Sequence, residues 1–173
     1  EFDYSVGFNM TTTENKVVEL SDDNQVLKGE GLKYGTEHFP TETRVGRPLG
    51  GFYLYRTDGI FQNINEINAH IAPDGNLIQP NAQPGDIRFK DLNGDGKITD
   101  ADKEYCGSGI PSLEANLNFS ASYKGFDFSA VIGSAWNFKL YNGNKYCYEG
   151  MNSKSNMLKS TLDAWTPQNT KTD

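Results

Sequence analysis

The chain has 173 residues, which is enough for one domain with a substantial buried core. It carries 16 Lys and Arg residues against 23 Asp and Glu residues, a formal net charge of −7. This acidity argues against nucleic acid as a partner, because phosphate binding requires a basic surface, and the 12% of aromatic residues excludes a disordered acidic chain.

The first segment alternates apolar and polar residues, which predicts a β-strand. Its even positions are apolar: Phe2, Tyr4, Val6, Phe8 and Met10. This strand has no lead-in, and the tail of the chain ends in a polar run, so we expect the chain to be a piece of a longer protein. A short return strand is expected over 16–20, followed by irregular hairpins over 21–50.

The middle of the chain alternates short apolar runs with turns. Gly51–Tyr55 reads as a strand, and isoleucines at helical spacing over 64–71 predict one or two helical turns. Turns are expected at 73–75 and at 84–86. Apolar runs are only a few residues long throughout the chain, so we expect no transmembrane helix.

The strongest β signal is a long hairpin over 113–140 with its turn at Lys124-Gly125. Each arm exceeds ten residues, whereas an ordinary globular strand has about 5–6 and a membrane strand about 9–11. One face is large and apolar, and the other is mostly Ser, Asn, Gly and Ala. Periodicity alone leaves two interpretations open, a strand pair of a transmembrane barrel and a strand pair of a β-sandwich. After the hairpin, residues 157–165 predict a short amphipathic helix ending before Pro167.

Residues 91–102, Asp-Leu-Asn-Gly-Asp-Gly-Lys-Ile-Thr-Asp-Ala-Asp, have the pattern of a calcium-binding loop. Ca²⁺ takes six to eight oxygen ligands, and Gly96 permits the sharp turn that such a loop needs. The predicted ligands are the side chains of Asp91, Asn93 and Asp95, the backbone carbonyl of Lys97, Thr99 directly or through water, and Asp102 at the twelfth position.

The residues that flank this loop do not resemble a helix-loop-helix calcium site. Residues 87–90 alternate like a strand, and Pro111 follows the loop closely. We therefore interpret the motif as a calcium loop within β structure that has a structural role. The alternative is an acidic turn with no ion.

Other candidate functional residues are weak. His38 and His70 lack metal-ligand spacing, so each is interpreted as a surface or loop histidine. Cys106 and Cys147 either form a disulfide or remain two buried thiols. No phosphate loop, nucleophile motif or spaced carboxylate pair is present in the sequence, so we expect that the chain is not an enzyme.

Four segments in order resemble a known family. They read NMTTTENKV (9–17), RVGRPLGGFYLYRTDGIFQN (44–63), PGDIRFKDLNGDGKITDADKEYCGSGIP (84–111) and LEANLNFSASYKGFDFSAVIGSAWNFKLYN (113–142). Together they resemble the C-terminal barrel region of SusC/RagA-type TonB-linked outer-membrane transporters.

The resemblance implies a mainly β fold, with antiparallel strands of a transmembrane β-barrel and a long extracellular loop region that carries the calcium loop. Such a barrel has about 22 strands. In it, residues 1–20 would be a barrel strand and turn, and residues 112–142 would be a barrel hairpin. Residues 21–111 would be the extracellular loop region with the calcium loop at 91–102, and residues 143–173 would be a second, truncated extracellular loop. The resemblance also implies that the protein lies in a Bacteroidetes outer membrane, contacts its lipid and has its loops on the extracellular side. It implies a SusD-type surface lipoprotein as partner and glycans or oligopeptides as cargo. Energy would come from TonB, which would act through parts of the parent protein outside this chain.

Two classes of function follow from the sequence. The first is part of a TonB-dependent importer, in which the apolar faces of the hairpin contact lipid. The second is a secreted calcium-stabilised β-sandwich that binds carbohydrate or acts as an adhesin, with a closed core and with Trp165 or Tyr146 exposed in a groove.

Overall fold

The computed structural model describes residues 2–22, 25–32, 38–151, 154 and 156–172. These residues form mainly antiparallel β structure with a few short helices, which confirms the predicted β class. The chain divides into two compact units, here named the strand unit and the loop unit. The strand unit comprises Glu1–Gly29, Thr41–Phe52 and Gly107–Tyr141, and the loop unit comprises Glu30–Pro40, Tyr53–Cys106 and Asn142–Asp173.

Nine strands and two α-helices are present in the described part of the chain. The strands are β1 Phe2–Thr12, β2 Leu27–Lys28, β3 Thr41–Thr43, β4 Gly51–Tyr55, β5 Thr57–Ile60, β6 Ile87–Phe89, β7 Lys103–Gly107, β8 Leu113–Tyr123 and β9 Phe126–Trp136. The helices are α1 Ile64–Ala69 and α2 Gly143–Glu149, with 3-10 turns at Asp100–Asp102 and Lys159–Asp163. None of these helices is long and apolar enough to cross a membrane.

The strand unit is dominated by an antiparallel sheet of three long strands in the order β1-β8-β9. Each strand has 11 residues, and the register runs without interruption from Phe2↔Tyr123 to Thr12↔Leu113. Lys124 and Gly125 join β8 to β9 with φ angles of 49° and 83°. Positive φ at both central residues is what a two-residue type I′ hairpin turn requires. The predicted strands at 2–10 and 113–123 and the tight turn are therefore confirmed.

The last predicted strand is shorter than expected. Residues 126–140 were predicted to be one strand, but β9 ends at Trp136. Asn137 adopts φ 59°, which no extended strand contains, and its side-chain amide donates to Ser112 Oγ at 3.0 Å. Lys139 then donates its backbone N–H to the Ser108 carbonyl rather than to a strand partner. The extension of the strand to residue 140 is therefore wrong.

The predicted return strand over 16–20 does not form. Only Val17 pairs there, donating to the Arg47 carbonyl and accepting from the Gly46 N–H, while Val18 is 85% exposed. The short strands of this unit lie further on. β2 pairs with β3, and β3 pairs with the first two residues of β4.

The loop unit is built from short elements around a small core. The predicted strands at 51–55 and 87–90 and the helix over 64–71 are confirmed as β4, β6 and α1, and β5 pairs with β6 through an irregular register. Asn63 caps α1 by accepting the Glu66 N–H. Helix α2 has no counterpart in the sequence analysis, and the predicted helix at 157–165 is a 3-10 turn. Of the six buried apolar residues among those that the structure describes, five belong to this unit: Tyr53, Phe61, Ile67, Ala72 and Cys147.

Both cysteines are free thiols. Cys106 is exposed, and Cys147 is buried in α2. The disulfide interpretation is therefore wrong, and the alternative of two buried thiols holds only for Cys147.

Candidate functional site

The three long strands place their apolar side chains on one face. The register aligns Phe8 with Leu117 and Leu117 with Ile132, and the same alignment holds along the sheet, because alternate residues of a strand share a face. These side chains are 37% to 82% exposed: Phe2, Tyr4, Val6, Phe8, Met10, Leu117, Tyr123, Phe126, Phe128, Ile132 and Trp136. A continuous apolar surface of this kind indicates an apolar partner or a lipid environment.

The strand length matches a membrane crossing. Eleven residues at about 3.3 Å each reach about 36 Å, and at a tilt of about 45° they cover about 25 Å of bilayer thickness. That figure equals the usual height of the apolar band on outer-membrane barrels, about 25 Å. The sheet therefore has both the chemistry and the length of a lipid-facing segment.

The opposite face of the same sheet is small and polar. It carries Asp3, Ser5, Gly7 and Asn9 of β1 beside the Asn and Ser residues of β8. Across the two strands, the Asn116 amide donates to Asn9 Oδ1 at 3.0 Å. Apart from the carboxylates Asp3, Glu114 and Asp127 and the apolar Val131, this face carries small or uncharged hydrogen-bonding residues, which suit a surface that faces water or a plugged interior.

In the predicted calcium loop, side-chain oxygens accept hydrogen bonds from backbone N–H groups of residues that follow them. Asp91 accepts the N–H of Gly94 and of Gly96, one at each carboxylate oxygen and each at 2.7 Å. Asn93 Oδ1 accepts the Asp95 N–H, and Asp95 Oδ1 accepts the Lys97 N–H, both at 2.9 Å. The three side chains predicted as the first ligands therefore each organise the turn that follows them.

Gly96 is required for this path. It is buried with φ 80°, and a Cβ at this position would lie 2.8 Å from Ala72 Cβ. Any larger residue would be strained in backbone conformation and would also displace Ala72. The glycine predicted to make the sharp turn therefore packs the loop against the residues that follow α1.

Asp102 has a different environment from the other predicted ligands, because it is fully buried. Its Oδ1 accepts the N–H groups of Leu92 (2.9 Å) and Asn93 (3.3 Å), and its Oδ2 accepts the Thr99 N–H (2.7 Å) and hydroxyl (3.3 Å). Burial alone would raise the pKa of Asp102, but the N–H groups of Thr99, Leu92 and Asn93 together outweigh burial and hold that pKa below its usual value.

The predicted ligands differ in how well they fit a calcium ion. A carboxylate has about four lone-pair positions. Asp91 and Asp95 each accept two donors and keep acceptor capacity, whereas Asp102 already accepts four. In the described part of the chain, no three His, Cys, Asp or Glu side chains are grouped to hold a metal ion. Calcium loops also use amide and backbone oxygens, so Asp91, Asn93 and Asp95 fit as ligands and Asp102 does not in this arrangement.

The two histidines are half-buried within the loop unit. His38 stacks on Tyr146 with ring centroids 5.8 Å apart, and His70 lies 5.5 Å from the Phe61 ring. Burial, and secondarily the positive charge of Lys103, lowers the pKa of His38. Burial, and secondarily Arg88, lowers the pKa of His70.

A cleft of about 800 Å³ in the loop unit has no counterpart in the sequence analysis. Its lining includes Ile60, Lys145, Glu149, Asp163, Trp165 and Asn169. Trp165 was expected to be exposed in a groove if the chain bound carbohydrate, but it is only partly exposed, and its Nε1 donates to Gln62 Oε1 at 2.8 Å. The sequence carries no signal for this cleft, because its lining comes from segments far apart in the chain.

Comparisons with known proteins place these features in context. No family model matches the chain. It is 28% identical over 177 residues to the TonB-dependent receptor P3 of Formosa agariphila, covering 100% of this chain and 17% of that protein. It is 27% identical over 177 residues to the TonB-dependent receptor P26 of the same bacterium, covering 99% and 17%. It is 23% identical over 166 residues to the TonB-dependent receptor SusC of Bacteroides thetaiotaomicron, covering 94% and 14%.

These relatives confirm the resemblance drawn from the sequence. The homologues of the chain are TonB-dependent receptors, SusC among them, and they match nearly its whole length. The chain spans about 14–17% of the length of these relatives. They are receptors rather than enzymes, which confirms the expectation that the chain is not an enzyme.

Proposed function

We propose that this chain forms part of the barrel and the extracellular loops of a TonB-dependent outer-membrane importer of glycans or oligopeptides. The observation that carries the proposal is the register-aligned apolar face of β1, β8 and β9, which is exposed over most of its length. Similarity to TonB-dependent receptors supports it independently. In this proposal the outer-membrane lipid covers the apolar face, and TonB supplies energy through other parts of the parent protein.

The alternative of a secreted β-sandwich is less well supported. A sandwich requires a second sheet packed over the apolar face. In the described residues Ala115 is the one buried apolar residue of the long strands, and most large side chains of that face are exposed, with Leu113 and Phe119 half-buried. The importer accounts for this exposure, and the sandwich does not.

The sides of the membrane follow from the connections between strands. A two-residue turn joins β8 to β9, whereas β1 and β8 are joined by residues 13–112. Outer-membrane barrels have short periplasmic turns and long extracellular loops. In this proposal Lys124 and Gly125 lie on the periplasmic side and residues 21–111 and 143–173 on the extracellular side, where they are available to a SusD-type lipoprotein and to cargo.

A genetic test addresses cargo and energy coupling. Deleting the gene should abolish growth of the producing bacterium on one glycan or oligopeptide from a panel offered as sole nutrient, and deleting tonB should produce the same defect. Affinity purification of the tagged full-length protein from outer membranes should recover a SusD-type lipoprotein. Growth of the deletion strain on the whole panel, together with recovery of the protein from the soluble fraction, would contradict the proposal.

We further propose that loop 91–102 binds Ca²⁺ in a structural role. Asp91, Asn93 and Asp95 support this through their remaining acceptor capacity, and the Lys97 carbonyl and Thr99 are further members of the predicted set. Calorimetric titration of the chelator-treated full-length protein with CaCl₂ should give one site, which Asp91→Asn weakens. Asp74→Asn is the matched control, because it makes the same substitution at an exposed carboxylate in a turn outside loop 91–102. Absence of calcium binding by the wild-type protein would contradict this proposal.

A further inference from the structure

Asp102 connects the two ends of loop 91–102. Through Oδ1 it holds the N–H groups of Leu92 and Asn93 at the beginning of the loop, and through Oδ2 it holds Thr99 near the end. Five residues lie between Asn93 and Thr99 in the chain, yet the Asp102 side chain accepts hydrogen bonds from both. The loop is therefore closed by a carboxylate that comes from its own last position.

The negative charge of this buried carboxylate is satisfied by the protein itself. Three backbone N–H groups and one hydroxyl occupy about four lone-pair positions. Hydrogen bonds to a charged acceptor are the strong ones, and they stabilise the ionised form without a cation. Thr99 also caps the 3-10 turn Asp100–Asp102, so Thr99 and Asp102 fix each other's position.

We propose that Asp102 is a positioning residue that closes loop 91–102 without a metal ion and leaves Asp91, Asn93 and Asp95 as the side chains that bind Ca²⁺. The first part stands on the hydrogen bonds of Asp102 alone, and the second part rests on the calcium proposal above. A loop closed in advance loses less freedom when the ion binds. Asp102 thus supports calcium affinity through the conformation of the other residues.

Protection from trypsin tests the closure. Lys97 is an exposed loop residue, and the Lys97–Ile98 bond is a trypsin site that a closed loop shields. The full-length protein in detergent is digested with EGTA or with CaCl₂, and cleavage after Lys97 is followed by mass spectrometry. The variants are Asp102→Asn and Asp74→Asn. In Asp102→Asn, an amide nitrogen faces a backbone donor that the carboxylate had accepted.

The proposal expects the wild-type protein to resist cleavage after Lys97 in EGTA, as the Asp74→Asn control does. Asp102→Asn should be cleaved faster in EGTA, and its calcium affinity should fall by about 10- to 100-fold, the usual loss when a residue that orients ligands is removed. An unchanged calcium affinity in folded Asp102→Asn would overturn the positioning role.

The digestion of the wild-type protein tests the closure even if Asp102→Asn fails to fold. Rapid cleavage of the wild-type protein in EGTA that CaCl₂ suppresses would overturn the proposal, because closure would then require the metal. A wild-type loop that resists trypsin in EGTA, in a protein that binds no calcium, would uphold closure by Asp102 and reject only the calcium proposal.

Discussion

The strand unit and the loop unit place their apolar residues in opposite environments. In the strand unit, three 11-residue strands present large side chains on one face, and among its described residues Ala115 is the only apolar one that is buried. In the loop unit, the strands have three to five residues, and Phe61 in its core is 0% exposed. Long regular strands thus form a surface that needs an apolar environment, whereas short irregular elements form a core of their own.

The largest expected effect is on the core of the loop unit. Phe61→Ala removes a fully buried ring and should lower the free energy of unfolding of this unit by about 3–5 kcal/mol. Denaturant titration monitored by proteolysis within the loop unit measures the change. Ile64→Ala, at an exposed position three residues away in α1, is the control and should change the free energy by less than about 0.5 kcal/mol. Equal effects would show that the loop unit lacks its own core.

A charge on the strand unit distinguishes its two faces. Leu117→Arg puts a cation on the apolar face near mid-strand and should make folding into bilayers less favourable by about 2–4 kcal/mol. Asn118→Arg, at the next residue on the polar face, should have a much smaller effect. Folding into lipid vesicles, followed by the gel shift between folded and heat-denatured protein, measures both variants. A larger loss for Asn118→Arg would reverse the assignment of the faces.

A smaller effect is expected at a hydrogen bond within the loop unit. Trp165→Phe keeps a ring beside Gly85 but removes the Nε1 donor to Gln62, and should cost about 1 kcal/mol. Gln62→Leu should cost a similar amount, and the double variant should cost less than the sum, because both changes remove the same bond. Thermal unfolding of the three variants checks this. Strict additivity would mean that this hydrogen bond does not stabilise the unit.

The smallest expected effect is a dependence on pH that only the loop unit should show. The pKa values of His38 and His70 are lowered, so the unfolded chain binds protons at a higher pH than the folded unit does. Their neutral forms therefore favour folding above pH 6.5, and this contribution is lost as the pH falls from 6.5 through the folded pKa values. Stability should drop between pH 7.5 and 5.5 in the wild-type protein and change less in His38→Gln/His70→Gln. An identical decline in both would assign the effect to other groups.

The sequence predicted regular elements well where alternation controls them. β1, β8 and β9 follow the period of two, and α1 follows from isoleucine spacing. Helix α2 was missed because Cys147 is its only buried residue, which leaves no apolar periodicity. The end of β9 was missed because Asn137 adopts a positive φ while its neighbours continue the alternating pattern.

The loop motif was located from sequence, but the environment of its members was not. The pattern treats Asp91 and Asp102 alike, as oxygen ligands. Only the fold shows that Asp102 is buried and accepts four donors while Asp91 accepts two. Burial and hydrogen bonding depend on residues brought together in three dimensions, and spacing along the chain does not encode them.

Site-directed spin labelling tests the central claim that lipid covers the apolar face of the strand unit. Single cysteines at Phe128 and Ile132, and at the polar-face positions Ser120 and Ser129, are introduced after Cys106 and Cys147 are replaced, and the full-length protein is reconstituted in lipid vesicles. Labels at 128 and 132 should be relaxed by oxygen, which concentrates in lipid, and labels at 120 and 129 by a water-soluble nickel complex. Greater access of the nickel complex to 128 and 132 than to 120 and 129 would contradict the account.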